Sequence, residues 1–280
     1  MISIIIATFN CAGSIGKTIQ SVNQQSCKEW ELIIVDDGST DDTYNLIKEK
    51  YLGDKIKYFY QENKGVSAAR NYGASLATGE FLMFLDADDT LFPNVIENFQ
   101  KLIGDDDLTG IASGAYLYSS RTEVKPRVKG SLTQYYKLNT LVGSFILNKQ
   151  LFTTAGGYDE NLTFSENFEL FIRLTQICKE EKISVKAGDF LTFNYNHYSG
   201  NEKNMLREKK KIETYKYLYN KYKDLQSPDF DFRTRSAETV AISSFRLGNK
   251  KEAVKWQLKA IQEKPSIKSY FKLLRYLTFS

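Results

Sequence analysis

Along the first hundred residues, short apolar runs rich in β-branched side chains alternate with amphipathic stretches. Ile2 to Ala7, Glu31 to Val35, Ile56 to Phe59 and Phe81 to Leu85 read as strands. Between them, Ser14 to Gln24 has a helical period, with Ile15, Ile19 and Val22 on one face. Asp41 to Tyr51 follows an Asp-Gly-Ser-Thr-Asp turn whose side chains suit helix capping, and Val66 to Ala77 forms a third helix. This rhythm predicts βαβα units around a mainly parallel sheet.

Beyond residue 105 the pattern loosens. Thr109 to Tyr118 and Leu141 to Leu147 read as strands, with a basic loop at Arg121 to Lys129 between them. A Gly-Gly-Tyr-Asp-Glu turn at 156–160 leads to Glu166 to Leu174, an amphipathic helix with an acidic start. From about Met205 the chain is wholly helical and aromatic-rich, with a break at Ser227-Pro228-Asp229. There Gly248-Asn249 ends a helix, Ala253, Trp256, Ala260 and Ile261 recur at helical spacing, and Pro265 is the stop. That stretch resembles one tetratricopeptide helix pair; an ordinary helical hairpin fits equally well, and a lone pair cannot stack a solenoid. The expected organisation is a main domain over 1–204 and a helical C-terminal extension over 205–280.

Charge sharpens this division. The net charge is +4, yet residues 201–280 hold 19 Lys and Arg against 9 Asp and Glu, so a basic tail follows an acidic body. Such a tail suits an anionic membrane surface or a polyanionic partner, or is simply the solvated face of helices. Nothing approaches the ~20 apolar residues of a membrane span, and Met1 runs straight into Ile2-Ser3-Ile4 without a basic leader. The expected location is cytoplasmic, with peripheral contact at the inner face of the membrane. Three widely spaced cysteines, Cys11, Cys27 and Cys178, argue against a disulfide framework and a zinc cluster. The single histidine, His197, rules out a two-histidine metal site.

Ligands of open α/β sheets bind outside the carboxyl ends of the strands. The segments that fall there are Thr8-Phe9-Asn10, Asp36-Asp37-Gly38-Ser39, Asn63-Lys64-Gly65 and Asp86-Ala87-Asp88-Asp89. Three carboxylates within four residues repel unless a cation or a set of donors offsets them, and all-oxygen ligands suit Mg²⁺ or Mn²⁺. A turn and helix cap leading into Leu91-Phe92-Pro93 is the competing reading, and these residues alone leave both open.

Taken in order, five blocks carry a resemblance. They are Ser3 to Asn10, Ser21 to Gln25, Glu31 to Asp41, Asn63-Lys64-Gly65 with Ala69-Arg70-Asn71, and Gly79 to Asp89. Their sequence and spacing are similar to those of family 2 glycosyltransferases, and the turn near residue 157 extends the likeness to about residue 200. The resemblance implies a GT-A fold, that is, a Rossmann-like, mainly parallel sheet flanked by helices. It further implies a nucleotide-sugar donor, usually a uridine diphosphate sugar, and inversion at the anomeric carbon. It places Ala7, Thr8 and Asn10 around the base, Asp37 on the base N3–H, and Arg70 on a phosphate or carbonyl, a salt bridge to the Asp37 loop being the alternative. Asp36 reads as a turn carboxylate pairing with local amides. Asp88 is the implied metal ligand, for Mn²⁺ or Mg²⁺, with Asp86 on the ribose and sugar side and Asp89 joining the metal or orienting its shell. His197 falls where relatives often present a basic group to the metal or diphosphate, or is a packed residue among tyrosines.

One position departs from the pattern. Inverting transfer needs a base for the acceptor hydroxyl, and the family supplies the Asp of a Glu-Asp pair where this chain reads Glu166-Asn167. An amide oxygen is too weakly basic for that task. Glu166 serves instead, or the site is degenerate, or Asn167 is an introduced substitution. Glu169 and Arg173 are expected to form a surface pair on the same helix. The expectation is a metal-dependent, inverting transferase acting on a polysaccharide or lipid-linked saccharide, the alternative being a catalytically impaired nucleotide-sugar-binding partner in a glycan-assembly complex. A nicotinamide-dependent Rossmann enzyme is excluded, since no Gly-x-Gly-x-x-Gly follows the first strand.

Overall fold

The computed structural model describes residues 1–106, 108–118, 122–125, 138, 140–195, 201–224 and 232–278. The four expected N-terminal strands form as β1 (Ile2–Thr8), β2 (Trp30–Asp36), β3 (Ile56–Tyr60) and β4 (Phe81–Asp86). Three helices link them, α1 (Ile15–Asn23), α2 (Thr43–Lys50) and α3 (Val66–Leu76). The strands lie in the order β3-β2-β1-β4, all parallel, with Ile5 opposite Ile33 on one side and Phe84 on the other. Their ends are thereby level, so the loops after β1, β2 and β4 gather at one edge.

The sheet continues through β5 (Thr90–Leu91), β6 (Thr109–Tyr118), β7 (Glu123–Val124), β8 (Phe145–Asn148) and β9 (Ser184–Tyr195). The full order is β3-β2-β1-β4-β8-β6-β9-β5, with β7 on β6. Along that path only β8 and β5 run against the others, so the sheet is mixed and mainly parallel. Of the strand expected over Leu141 to Leu147, residues 141–144 form a turn, held by the Ser144 N–H and hydroxyl donating to the Leu141 carbonyl.

Two layers of side chains cover the sheet, as the alternation of Cβ directions requires. Ile4, Ile6, Leu32, Ile34, Met83 and Leu85 pack with Ile15, Ile19 and Val22 of α1 and with Val95, Ile96 and Phe99 of α4 (Val95–Ile103). Ile5, Ile33, Val35 and Phe84 face the other way, toward Ala69 of α3, Phe152 of α5 (Lys149–Thr154) and Leu170, Phe171 and Leu174 of α6 (Glu166–Glu180). Gly73 lets α3 come close: a Cβ there would lie 2.5 Å from the Ile5 side chain.

The chain divides into two units, Met1–Asn161 with Glu166–His197, and Leu162–Ser165 with Tyr198–Ser280. The second contains α7 (Asn201–Lys221), α8 (Phe232–Arg246), α9 (Lys250–Glu263) and α10 (Ile267–Thr278). Ala253, Trp256, Ala260 and Ile261 are all buried on α9, as their spacing predicts. Asn249, expected to end a helix, instead starts one: its side chain accepts from the Glu252 N–H as the α9 cap. Pro265 separates α9 from α10 and is not the end of helix. The break at Ser227-Pro228-Asp229 lies outside the described residues. So does most of the basic loop at Arg121 to Lys129.

Candidate functional site

At the carboxyl edge of the sheet, each expected loop is built by side chains reaching from another. Asn10 adopts a left-handed φ of 53°, and its Oδ1 accepts from Thr40 N at 2.8 Å and Asp41 N at 3.3 Å. Its own N–H donates to Ser39 Oγ at 2.8 Å, so the loops after β1 and β2 are sewn together. Ala7 is half-buried beside them. Thr8 is buried, and among the described residues its hydroxyl has no partner. A buried hydroxyl of this kind, at a strand end, is what a bound ligand's polar atom would satisfy.

The two carboxylates after β2 have separate duties. Asp36 accepts from Ser39 N at 2.7 Å and from the Tyr58 hydroxyl at 2.7 Å, in keeping with its reading as a turn carboxylate. Burial, together with that carboxylate, raises the Tyr58 phenol well above its ordinary range, so it remains a donor. Asp37 accepts from Gln61 Nε2 at 2.7 Å, Lys64 N at 2.8 Å and Gly65 N at 2.9 Å. Three donors leave one acceptor direction of a carboxylate for a further partner. The alternative partner expected for Arg70, the Asp37 loop, is therefore taken by main-chain amides and Gln61.

Arg70 turns to the acidic motif. Its Nη2 lies 2.8 Å from Asp86 Oδ1, and its guanidinium sits over the Tyr158 ring at 5.3 Å. Burial opposes its charge, but the Asp86 carboxylate overcomes that and raises its pKa, with Glu166 adding to the field. Across the motif exposure alternates: Asp86 is half-buried, Ala87 buried, Asp88 exposed and Asp89 buried. Helix α1 fixes this segment from beneath. The Thr18 hydroxyl donates to the Ala87 carbonyl at 3.0 Å, Ser21 Oγ accepts from Leu91 N at 3.1 Å, and Gln25 bonds both the Phe92 carbonyl and the Ile96 N–H. Thr18 thus holds the acidic turn itself, and the block Ser21 to Gln25 holds the segment that follows it, a role that its distance in sequence concealed.

The Gly-Gly-Tyr-Asp-Glu turn arrives at the same place through Asn71. Asn71 Oδ1 accepts from Tyr158 N at 2.8 Å, while its Nδ2 donates to the Tyr158 carbonyl and to Glu160 Oε1, each at 2.9 Å. Gly157, at φ 69°, is required there: a Cβ would stand 2.7 Å from Asn71 Oδ1. Tyr158 packs its ring edge-on to Phe84 and donates its hydroxyl to Asn167 Oδ1 at 2.9 Å. Burial raises its phenol pKa, so the hydroxyl stays protonated. Arg70, Asp86, Tyr158, Glu166 and Asn167 therefore form one cluster, and neither Tyr158 nor Asn71, which holds the Tyr158 main chain, was singled out by sequence reasoning. Their signal was present: both belong to motifs that the resemblance required.

Glu169 and Arg173 are not the expected surface pair. Glu169 is fully buried and meets Arg173 through two bonds, Nε to Oε1 at 2.9 Å and Nη2 to Oε2 at 2.6 Å. Arg173 also donates to the Ala155 carbonyl. The pair anchors α6 to the end of α5. His197 lies outside the described residues.

Among the described residues no group of three or more His, Cys, Asp and Glu side chains could hold a metal ion. Small hard cations usually take one or two carboxylates and complete their shell with substrate phosphates and water, and the exposed Asp88 fits that arrangement.

Comparison with known proteins agrees with this architecture. The model of glycosyl transferase family 2 matches residues 3–161, more than half of the chain, and that of glycosyltransferase-like family 2 matches residues 126–238. An uncharacterised glycosyltransferase of Rickettsia typhi is 30% identical over 203 residues, covering 67% of this chain and 63% of that protein. A relative in Rickettsia conorii matches over only 34% of its length, so the chain spans under two thirds of these proteins. A PGL/p-HBAD biosynthesis glycosyltransferase of Mycobacterium bovis is 30% identical over 177 residues, 62% of this chain and 69% of that one. The structure of S. aureus TarS 1–349 in complex with UDP-GlcNAc superposes with a TM-score of 0.65 at 15% identity, covering 98% of this chain and 88% of that one. The fold is that of a GT-A-like glycosyltransferase, and the chain belongs to glycosyltransferase family 2.

Proposed function

We propose that this chain moves a sugar from a uridine diphosphate donor to a saccharide or lipid-linked saccharide acceptor, with inversion. The convergence of Arg70, Asp86, Tyr158, Glu166 and Asn167 beside the exposed Asp88 is the observation that carries this reading. Ala7, Thr8, Asn10 and Asp37 take the base: the unsatisfied Thr8 hydroxyl and the remaining acceptor direction on Asp37 suit the hydrogen-bonding edge of uracil. Asp86, fixed by Arg70, faces the ribose and sugar, and Asp89 supports the turn. Asp88 would hold Mn²⁺ or Mg²⁺ with the diphosphate, and such an ion, when bound, offsets the charge of the leaving group. His197, near the end of the first unit, is kept as a second contact to the ion or diphosphate.

In the reaction the acceptor oxygen bonds to the anomeric carbon as the bond from that carbon to the diphosphate oxygen breaks. The electron pair leaves with the diphosphate, and the acceptor proton passes to Glu166. Asn167 cannot take it. Its acceptor oxygen is held by the Tyr158 hydroxyl, which makes it a positioning residue at the start of α6. The amide at position 167 favours one rival, a donor-binding protein without efficient transfer that serves a glycan-assembly complex. Isothermal titration with UDP and Mn²⁺, followed by transfer assays over a panel of UDP-sugars, separates the two. Binding with turnover supports the enzyme; binding without turnover on any donor and acceptor favours the rival; no UDP binding rejects both. We assign the chain to the cytoplasm, with peripheral membrane contact through its basic C-terminal helices. Among the described residues no helix is long and apolar enough to cross a membrane.

A further inference from the structure

Helix α10 carries a stripe of apolar side chains open to solvent. Ile267, Tyr270, Phe271, Leu274 and Leu277 fall on one face at helical spacing, and each is more than half exposed, Ile267 at 78% and Phe271 at 66%. The other face fixes the helix to its neighbours. Ser269 and Tyr276 are buried, Tyr276 packs on Phe245 with ring centres 4.8 Å apart, and Gln257 Nε2 donates to the Ser269 carbonyl at 3.2 Å. Lys272 pairs with Glu238 at 2.8 Å. Exposure of the stripe is therefore a product of how α10 is docked on α8 and α9, and not of fraying. A row of five large apolar groups on one exposed face marks an interaction surface.

We propose that this face of α10 seats at the surface of an anionic lipid bilayer. The helix holds Lys268, Lys272 and Arg275 and no carboxylate, and Lys268 and Arg275 are exposed beside the stripe. Apolar side chains on one face with cations alongside describe a helix lying in the membrane plane, its apolar groups at the acyl boundary and its charges at the headgroups. A second copy of α10 is a poorer occupant. Pairing two such faces brings cations against cations, with no acidic side chain on either helix to offset them. The inference narrows the membrane contact proposed above to one helix face, and it stands apart from sugar transfer, which a soluble acceptor would report unchanged.

The test is sedimentation of the full chain with phosphatidylcholine vesicles, with and without phosphatidylglycerol. The chain should partition onto the anionic vesicles and stay in solution with the neutral ones. Phe271→Asp combined with Leu274→Asp should lower the partition coefficient by roughly a hundredfold, and Lys268→Gln combined with Arg275→Gln by roughly thirtyfold. The second pair leaves the stripe intact, so it remains decisive if the first unfolds. Thermal melts and UDP binding of the variants should match the parent chain. Equal sedimentation of parent and variants would overturn the proposal. So would a concentration-dependent dimer that Leu274→Asp abolishes in a chain that ignores vesicles, since the face would then belong to a second copy.

Discussion

Carboxylates stand at both ends of the central strands, and Glu31 at the amino end is held quite differently from Asp86 and Asp88 at the carboxyl end. At the amino end, the Glu31 carboxylate of β2 is buried and saturated. Its Oε1 accepts from Ser3 Oγ at 2.7 Å, Thr78 N at 2.6 Å and Thr78 Oγ1 at 2.7 Å, and its Oε2 meets Lys57 at 3.1 Å. Burial works against the charge, yet the Thr78 amide and hydroxyl, Ser3 and Lys57 bring its pKa down to about 2. At the carboxyl end, Asp86 shares one oxygen with Arg70 while its side chain remains 40% exposed, and Asp88 stands exposed. The lesson is that acidity at a strand end does not mark a site. Glu31, whose oxygens the fold has filled, is a fastener, whereas Asp86 and Asp88 still meet solvent.

That contrast can be broken from either side. The largest effect should come from Asp88→Ala, which removes the exposed carboxylate: Mn²⁺-linked affinity for UDP should vanish in calorimetry, and transfer should fall roughly a thousandfold. Unchanged metal-linked binding would place the ligand elsewhere. Glu166→Gln should lower kcat roughly a hundredfold or more with little change in donor affinity. Asn167→Asp is its companion, and a gain in rate from that change would show that Glu166 is a poor substitute base.

Glu31→Gln should leave donor binding intact but cost about 2 to 3 kcal/mol in urea unfolding, since it breaks charge-assisted bonds in a buried hub. The parent chain supplies the matching pH test. The Glu31 pKa is lowered from 4.5 to about 2, so its contribution is present above pH 4.5 and drains away as pH falls toward 2. Stability curves of parent and Glu31→Gln should converge over that window. The smallest effect belongs to Tyr158→Phe. It removes one hydrogen bond to Asn167, about 1 kcal/mol, and should lower kcat a few fold while KM for the donor holds. A loss equal to that of Glu166→Gln would give the tyrosine a larger part than positioning.

Much of the sheet was legible because its strands are buried on both faces and therefore read as unbroken apolar runs. Ile2 to Ala7, six of the seven residues of β1, needed no context. Strand β9 was hidden for the opposite reason: Gly188 and Asp189 interrupt Ser184–Tyr195, and its pairing with β6 shifts register more than once. Helix α4 shows a helical period at Val95, Ile96 and Phe99 that the preceding Pro93 and Asn94 disguise as turn. The candidate site was legible in its parts but not in its wiring. Arg70 carries no mark that its partner is Asp86, 16 residues on, and Glu169 looks like a surface acid although the fold buries it against Arg173. Such pairings are set by tertiary packing, which a periodicity cannot report.

Asn71 grips the turn at 156–160 through the main chain of Tyr158, with Glu160 as its only side-chain contact there. A clamp that reads backbone fixes where a loop sits without dictating which side chains it displays. Residues 156–160 are in that sense a replaceable cartridge. A counterpart from a relative can be exchanged whole to alter what the site accepts, provided that the host keeps Asn71 and the guest keeps its glycines.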